Sequence, residues 1–205
     1  MSQSAPSAIP PDEDLEAAFA PYIRAAGEVV NAWNRLQETL KDVFAAITKM
    51  PRDMAYAIWH SSRSDSTQRD MLRAAIAATD NNEPWVVRLP TAKSDLMLLL
   101  QKAGKISEVR NDDIHAPVSL ALDGGKLIII PFYFNGNPRA KNLQNKDVVA
   151  EFGRCRDEAY ILKEFAEKAE RSINFPSYAW PDKPALLIPV EKQKRIRRGR
   201  QVHQG

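Results

Sequence analysis

Residues 91–115, TAKSDLMLLLQKAGKISEVRNDDIH, combine a strong helical pattern with a charged ending, and they decide the predicted fold. At about 100° per residue, six apolar side chains of this stretch fall on one face of a helix. They are Leu96, Leu99, Leu100, Ala103, Ile106 and Ile114. Pro117 ends the helix, because a proline pushes the residue before it out of helical geometry. The stretch therefore predicts an amphipathic helix that packs into a helical core.

The sequence before this stretch predicts more helices of the same kind. Residues 12–50 predict one long amphipathic helix, in which Pro21 either starts the main part or bends it. Residues 53–60 and 65–79 predict two shorter helices. The apolar positions of the long helix recur at spacings of three and four: Ile23, Ala26, Val30, Trp33, Leu36, Leu40, Phe44 and Ile47. Three tryptophans are predicted core residues, namely Trp33, Trp59 and Trp85.

After Pro117 the spacing changes to that of a β-hairpin. Residues 120–122 and 127–134 predict two strands around a Gly124-Gly125 turn. Residues 135–138, Asn-Gly-Asn-Pro, predict a second turn. A last helix is predicted from about residue 146 to residue 173.

The predicted organisation is one helical domain between two flanking segments. A chain of 205 residues is long enough to bury a core without disulfides or metals. Residues 12–175 are predicted to form the domain, and the fold class is mainly α: an antiparallel helical bundle of four to five helices with a small β-hairpin inserted at about residues 120–134. Residues 1–11 have neither the basic start nor the apolar core of a signal peptide, so they predict a disordered tail. Residues 176–205 predict a proline-rich arm and a basic tail.

Composition argues against several classes of protein. No apolar run approaches the roughly 18 residues that a membrane span needs. The single Cys155, placed inside a predicted helix, excludes an internal disulfide and a cysteine-based zinc site. Three scattered histidines without carboxylates at ligand spacing argue against a metal site. No glycine-rich phosphate loop is present either, so we expect neither a metal nor a cofactor. The lack of a membrane span and the single cysteine fit a reducing, cytoplasmic location.

The formal net charge of +3 hides a strongly basic end. Residues 191–205, EKQKRIRRGRQVHQG, contain six basic side chains and one acid, Glu191. Such a tail is a candidate for sequence-independent contacts with RNA phosphates, and it equally fits a solvated charge run. The candidate nucleic-acid-binding residues are Lys192, Lys194, Arg195, Arg197, Arg198 and Arg200.

The hexapeptide RNDDIH, from Arg110 to His115, carries the candidate site. Arg110 lies in the middle of the apolar face, and a buried charge is costly unless it is paired, so we expect it to face a polar cleft or a partner. Asn111 and His115 are four positions apart and share a face. In an unbroken helix Arg110 and His115 lie about 140° apart. A shared site therefore needs a distorted helix end or a second chain that supplies the missing half.

This hexapeptide resembles the motif of the HEPN superfamily (higher eukaryotes and prokaryotes nucleotide-binding). Those domains are helical bundles with an Arg, a polar residue directly after it, and a His four to six residues beyond the Arg; Arg110, Asn111 and His115 match it. The resemblance spans roughly residues 13–173, and the inserted hairpin departs from the minimal bundle. It implies a metal-independent endoribonuclease acting as a homodimer. Family members include toxins, antiphage effectors and RNA-processing factors, so a protein antitoxin or regulator is a further partner.

The resemblance also implies a role for each residue. His115 would act as general base or acid on the ribose 2′-hydroxyl or the leaving oxygen. Arg110 would stabilise the charge of the transition state, and Asn111 would orient His115 or hydrogen-bond the phosphate. The product would be a 2′,3′-cyclic phosphate.

Two alternatives to this enzyme follow from the same residues. One is a catalytically inactive helical module that uses the surface to bind RNA, a nucleotide or a protein partner. The other is a plain interaction protein, in which Arg110 pairs with a nearby acid and His115 only favours the end of its helix, where cations are stabilised.

Overall fold

The structure is a computed structural model that describes residues 12–132 and 137–187. Helices account for 73% of these residues, and a single two-stranded antiparallel sheet accompanies them there. In chain order the elements are α1 (Asp12–Thr48), α2 (Arg52–Ser61), α3 (Asp65–Ala78), α4 (Pro84–Arg88), α5 (Ala92–His115), β1 (Val118–Asp123), β2 (Lys126–Pro131), α6 (Pro138–Asn142) and α7 (Val148–Asn174). A 3₁₀ turn follows at Ala185–Leu187. The predicted fold class, mainly α with a small inserted hairpin, is confirmed.

Helix α1 continues through Pro21. The first of the two predicted alternatives, in which Pro21 starts the main part of the helix, is therefore wrong. A proline inside a helix removes one backbone hydrogen bond and costs about 3 kcal/mol. Pro21 is exposed, so water can reach the backbone groups that it leaves without partners.

Two short helices, α4 and α6, were not predicted. Each has five residues and begins with a proline, whose fixed φ suits the first helical position. In α6, Asn137 caps the helix, since its Oδ1 accepts a hydrogen bond from the backbone N–H of Arg139 at 3.0 Å. The prediction of a plain turn at residues 135–138 is thus wrong at Pro138, and residues 133–136 lie outside the described residues.

The hairpin is built around the predicted glycine turn. Asp123 pairs with Lys126 at the turn, and the register runs to Val118 opposite Pro131. Gly124 and Gly125 have φ values of 56° and 82°. A two-residue hairpin turn of this kind needs positive φ at both positions, which glycine adopts without steric cost.

The described residues form two compact units. The large unit contains residues 31–108 and 156–187, and one hydrophobic cluster fills it. Trp33 and Trp59 are each 1% exposed and Trp85 is 3% exposed, which confirms all three as core residues. Other fully buried side chains of this cluster are Leu36, Leu40, Leu72, Ile76, Leu96, Leu99, Leu100 and Leu162.

The small unit contains residues 12–30, 109–132 and 137–155. One of its clusters is formed by Val29, Val148, Phe152 and Cys155, and the ring of Tyr22 meets that of Phe152 edge-on at 5.5 Å. The buried position of Cys155 agrees with its prediction as a packed helix residue. A second small cluster is formed by Ala116, Ala140 and Leu143.

The first part of the predicted proline-rich arm is held against the core of the large unit. Trp180 packs edge-on against Phe165, with ring centroids 6.0 Å apart, while Tyr178 is half exposed. Leu187 is 1% exposed and belongs to the core cluster. The arm therefore contributes to the core of this unit.

None of the described helices is long and apolar enough to cross a membrane.

Candidate functional site

The RNDDIH hexapeptide lies in the last two turns of α5, within the small unit. The helix stays regular to its end, because the backbone N–H of Ala116 still donates to the carbonyl oxygen of Asp112 at 2.9 Å. A distorted helix end, one of the two routes to a shared site, is therefore not present. Arg110 and His115 project about 140° apart, as an unbroken helix requires.

Arg110 and Asn111 are in direct contact. The Arg110 side chain is half-buried, and its Nη2 donates a hydrogen bond to Oδ1 of Asn111 at 2.7 Å. A guanidinium presents its N–H donors in a rigid plane, so this bond helps to hold the orientation of the fork. Asn111 thus contacts the arginine, and its suggested roles, orienting His115 or hydrogen-bonding the phosphate, stay predictions.

His115 is the last residue of α5, and its side chain is exposed. The exposed imidazole is open to a substrate or to a second chain. The structure therefore brings Arg110 and Asn111 into contact, and it leaves His115 about 140° from Arg110 around the helix.

Asp112 connects the hexapeptide to α6, and this contact was not predicted. Its Oδ2 accepts a hydrogen bond from Nδ2 of Asn142 at 2.8 Å, and its Oδ1 lies 4.0 Å from Nε of Arg139. The partners are 27 to 30 residues away in the chain, so spacing within the motif carries no signal for them. Asp112 ties the end of α5 to the helix that follows the hairpin.

The structure does not describe the predicted RNA-binding tail, and it places another histidine on α2. The six basic tail residues, Lys192, Lys194, Arg195, Arg197, Arg198 and Arg200, lie outside the described residues. His60 is exposed near the end of α2, with its Nε2 3.9 Å from Oε1 of Glu38. Across residues 12–132 and 137–187, His, Cys, Asp and Glu side chains form no group of three that could hold a metal ion.

The large unit contains a buried carboxylate that the sequence interpretation missed. Asp95 is 1% exposed, and its Oδ2 accepts hydrogen bonds from Thr91 Oγ1 and Trp180 Nε1, both at 3.0 Å. Nζ of Lys183 lies 2.6 Å from Oδ1. Helical spacing could have identified this residue, because it places the charged Asp95 about 20° from Ile106 on the apolar face of α5. Asp95 anchors the arm and does not face a cleft.

A second polar cluster lines a cavity of about 550 Å³ in the large unit. The hydroxyl of Tyr56 donates to Oδ1 of Asp42, and Nη2 of Arg52 lies 3.9 Å from Asp42 and 4.0 Å from Glu170. Burial, helped by Asp42, raises the pKa of Tyr56 above its ordinary 10.0. Three basic and two acidic side chains line this cavity, and Arg52 lies close to both acids, so little positive charge is left over for a ligand.

No protein-family model, no curated protein and no solved structure matches this chain.

Proposed function

We propose that this protein is a metal-independent endoribonuclease of HEPN type, with a site formed where two copies meet. Arg110 and Asn111 of one copy and His115 of the other would act on one phosphate. The observation that carries the proposal is the Arg110–Asn111 hydrogen bond, which orients the guanidinium on the same regular helix that ends in an exposed histidine. Because the two side chains diverge by about 140° within one chain, a composite site suits them better than a single-chain site.

The proposed chemistry needs only these side chains. The imidazole of one His115 takes the proton of the ribose 2′-hydroxyl as its oxygen attacks phosphorus. The bond to the 5′-oxygen breaks, and that oxygen receives a proton from an imidazolium or from water. Arg110 stabilises the additional negative charge on the phosphoryl oxygens. The products are a 2′,3′-cyclic phosphate and a free 5′-hydroxyl.

The finer parts of the proposal follow from the resemblance. A toxin or antiphage role, with a protein antitoxin or regulator as partner, is the use that this motif suggests. The basic residues from Lys192 to Arg200 would add phosphate contacts that do not depend on RNA sequence.

The direct test is cleavage of labelled single-stranded RNA and tRNA in the presence of EDTA. We expect Arg110→Ala and His115→Ala to lower cleavage about 10²–10⁴-fold, the range for losing a general acid–base or an electrostatic contact. Lys105→Ala, an exposed cation on the same helix, and His60→Ala, an exposed histidine near another helix end, are matched controls. The wild-type products should carry cyclic-phosphate ends.

Mixing the two inactive variants tests whether the site is shared between chains. A dimer of one Arg110→Ala chain and one His115→Ala chain keeps one intact composite site and loses the other. A one-to-one mixture should therefore recover about a quarter of wild-type activity, since about half of the dimers are mixed. An active wild type whose variants stay inactive after mixing would contradict the composite site.

The second candidate function is an inactive helical module that binds RNA, a nucleotide or a protein. The separation of Arg110 and His115 within one chain favours it. A folded, dimeric wild type that binds RNA without cleaving it, and that loses binding with Arg110→Ala, would establish this function instead. If Arg110→Ala changes only thermal stability, the hexapeptide is a structural helix end.

A further inference from the structure

Helix α6 packs along the last turn of α5, where the RNDDIH hexapeptide ends. Asp112 of that turn accepts a hydrogen bond from Asn142 and lies beside Arg139, both of which belong to α6. Four positions further along α5, Ala116 shares a small apolar cluster with Ala140 of α6. A polar contact and an apolar contact, one helical turn apart, therefore hold α6 against the end of α5.

Helical spacing identifies the side of α5 on which α6 lies. Asp112 and Ala116, which contact α6, are only about 40° apart around α5. His115 lies about 60° from Asp112 and three positions beyond it, so the two are neighbours on the helix surface. Arg110 lies about 160° from Asp112. Helix α6 therefore flanks the His115 side of α5, and it brings Arg139 to that side.

The guanidinium of Arg139 has donors that no neighbour uses. Its Nε lies 4.0 Å from Oδ1 of Asp112, which is longer than a hydrogen bond, and its side chain is 48% exposed. In the described part of the chain, neither Nη1 nor Nη2 of Arg139 donates a hydrogen bond. Two such N–H groups in one rigid plane match two oxygens of a phosphate group. Arg139 is thus suited to bind phosphate in two-point fashion.

The segment around α6 also has the charge that a polyanion requires. Residues 137–146 contain three basic side chains and no acid, and Arg139, Lys141 and Lys146 are all exposed. Asp112 lies 4.0 Å from Arg139, and Glu151 lies 3.9 Å from Lys146. Ion pairs as long and as exposed as these contribute little free energy, so the cations remain available to a phosphate chain.

We propose that Arg139 binds a phosphate of the RNA strand next to the one that is cleaved, and that Asp112 is the positioning residue that holds Arg139 there. The inference rests on the proposed function for its ligand, since RNA is the polyanion named there. It adds a phosphate-binding group on the His115 side of α5, from which Arg110 points about 140° away. Because the site then contacts more than one phosphate, it selects a polynucleotide strand over a dinucleotide.

The first test measures binding without cleavage. The probe is a labelled single-stranded RNA whose 2′-hydroxyls are methylated and so cannot attack phosphorus, and its affinity for the full chain is read by fluorescence anisotropy at a series of salt concentrations. Arg139→Ala should weaken binding roughly three- to tenfold, the effect of losing one charge-assisted phosphate contact. It should also make the slope of log affinity against log salt shallower by about 0.7, the value for one phosphate of a single strand.

The matched control for this test is Arg24→Ala. Arg24 is an arginine of the same unit whose side chain is 83% exposed and pairs with Glu28 of its own helix, so its loss should leave the salt slope unchanged. Circular dichroism would verify that both variants stay folded. Wild-type affinity and slope in Arg139→Ala overturn the proposal, and so does a wild-type chain that does not bind this RNA.

Two substitutions of Asp112 test its positioning role. By charge alone, removing an acid beside a phosphate should strengthen RNA binding. If Asp112 positions Arg139, Asp112→Ala should instead weaken binding, because α6 loses its polar contact with α5. Asp112→Asn keeps an acceptor oxygen for Asn142 and should retain most of the binding. Equal or stronger binding by Asp112→Ala would show that Asp112 does not position Arg139.

Cleavage kinetics with unmodified RNA separate this proposal from the nuclease itself. Arg139→Ala should raise KM several-fold and leave kcat close to that of the wild type, whereas Arg110→Ala and His115→Ala should lower kcat. If the wild type binds the methylated RNA through Arg139 but cleaves no RNA, the phosphate site stands and the nuclease proposal fails. If the wild type cleaves RNA and Arg139→Ala has wild-type KM and affinity, the nuclease proposal stands and the phosphate site is wrong.

Discussion

The two units of this protein have hydrophobic cores of very different size. In the described part of the chain, one cluster of the large unit contains 27 buried apolar residues, against four and three in the two clusters of the small unit. Local stability follows buried contacts, so the small unit should open at lower free energy than the large unit. Arg110, Asn111 and His115 all lie in the small unit, and functional segments are typically found at the less stable end of a structure.

The two units also differ in how far they bury the charged side chains of α5. The large unit buries Asp95 almost completely and provides hydrogen-bond donors from four other residues. The small unit leaves Arg110 half-buried and His115 exposed. A charge on an apolar helix face can thus anchor a distant segment or remain available for a partner, and burial distinguishes the two outcomes.

The largest expected effect is in the core of the large unit. Trp59→Ala should lower the free energy of unfolding by about 3–5 kcal/mol, because it removes a fully buried ring that packs 5.6 Å from Phe44. Urea denaturation followed by far-ultraviolet circular dichroism would measure the loss. Met54→Ala on the same helix, where the native side chain is 54% exposed, is the control and should cost far less. Equal costs would contradict the assignment of Trp59 to the core.

The corresponding change in the small unit should act locally. Phe152→Ala removes the largest side chain of its cluster and should loosen residues 109–132 and 137–155, at a cost of up to about 3–5 kcal/mol. Hydrogen exchange read by mass spectrometry should show faster exchange there and unchanged protection in residues 31–108. Ile161→Ala, at a half-exposed position on α7, is the control. If both units lose protection equally, they do not differ in local stability.

A smaller effect is expected from the anchor of the arm. Asp95→Asn removes the charge that pairs with Lys183 and should cost about 1–3 kcal/mol, the range for disturbing a buried hydrogen-bonded group. The arm should also become sensitive to protease near Lys183, with Trp180 more exposed to a fluorescence quencher. Asp182→Asn changes an exposed carboxylate of the same arm and should do neither. Unchanged protease resistance in Asp95→Asn would mean that Asp95 does not anchor the arm.

Replacing two glycines of the small unit by alanine should change stability in opposite directions. Gly125→Ala forces a side chain into a backbone with φ of 82° and should cost about 1 kcal/mol in hairpin stability. Gly153→Ala lies in α7, where an added Cβ meets nothing within 4 Å, and should stabilise by about 0.5–1 kcal/mol. Thermal unfolding of the two variants beside the wild type measures both. The same sign for both would contradict the turn geometry.

The smallest effect concerns pH in the large unit. Burial and Asp42 raise the pKa of Tyr56 above 10.0, so the folded protein holds the hydroxyl proton more tightly than the unfolded chain does. The resulting stabilisation is complete below 10.0 and is lost as pH rises through the higher folded pKa. Wild-type stability should therefore fall more steeply in this alkaline range than that of Tyr56→Phe, as measured by urea denaturation at a series of pH values. Parallel curves would show that Tyr56 does not contribute.

Much of the fold could be predicted because each long helix shows the apolar spacing of an amphipathic helix in its own sequence. Apolar spacing located α1, α2, α3, α5 and α7, and two adjacent glycines located the hairpin turn. Helices α4 and α6 have five residues each, which is too short for a helical period to show. Their buried residues, Trp85 and Ala140, indicate that tertiary packing stabilises them.

The candidate site was predictable in position but not in detail. Helical spacing predicted that Arg110 and His115 diverge, and the regular end of α5 agrees. The bond from Arg110 to Asn111 depends on side-chain rotamers, and the contact from Asp112 to Asn142 depends on where α6 folds back. Neither the rotamers nor the position of α6 can be predicted from residue spacing along one helix. Whether the site cleaves RNA stays a prediction.

The anchor of the arm also has a consequence for how the chain is made. Trp180 follows Asp95 by 85 residues, and a ribosome adds about 5–20 residues per second. Roughly 4 to 17 seconds therefore separate the synthesis of the carboxylate from that of its indole partner. For most of that interval the nascent large unit lacks a complete α7, and Leu187 is added only after Trp180, so apolar side chains of α1 and α5 stay open to other chains. Newly made chains would thus be more exposed to aggregation and to chaperones than the finished protein.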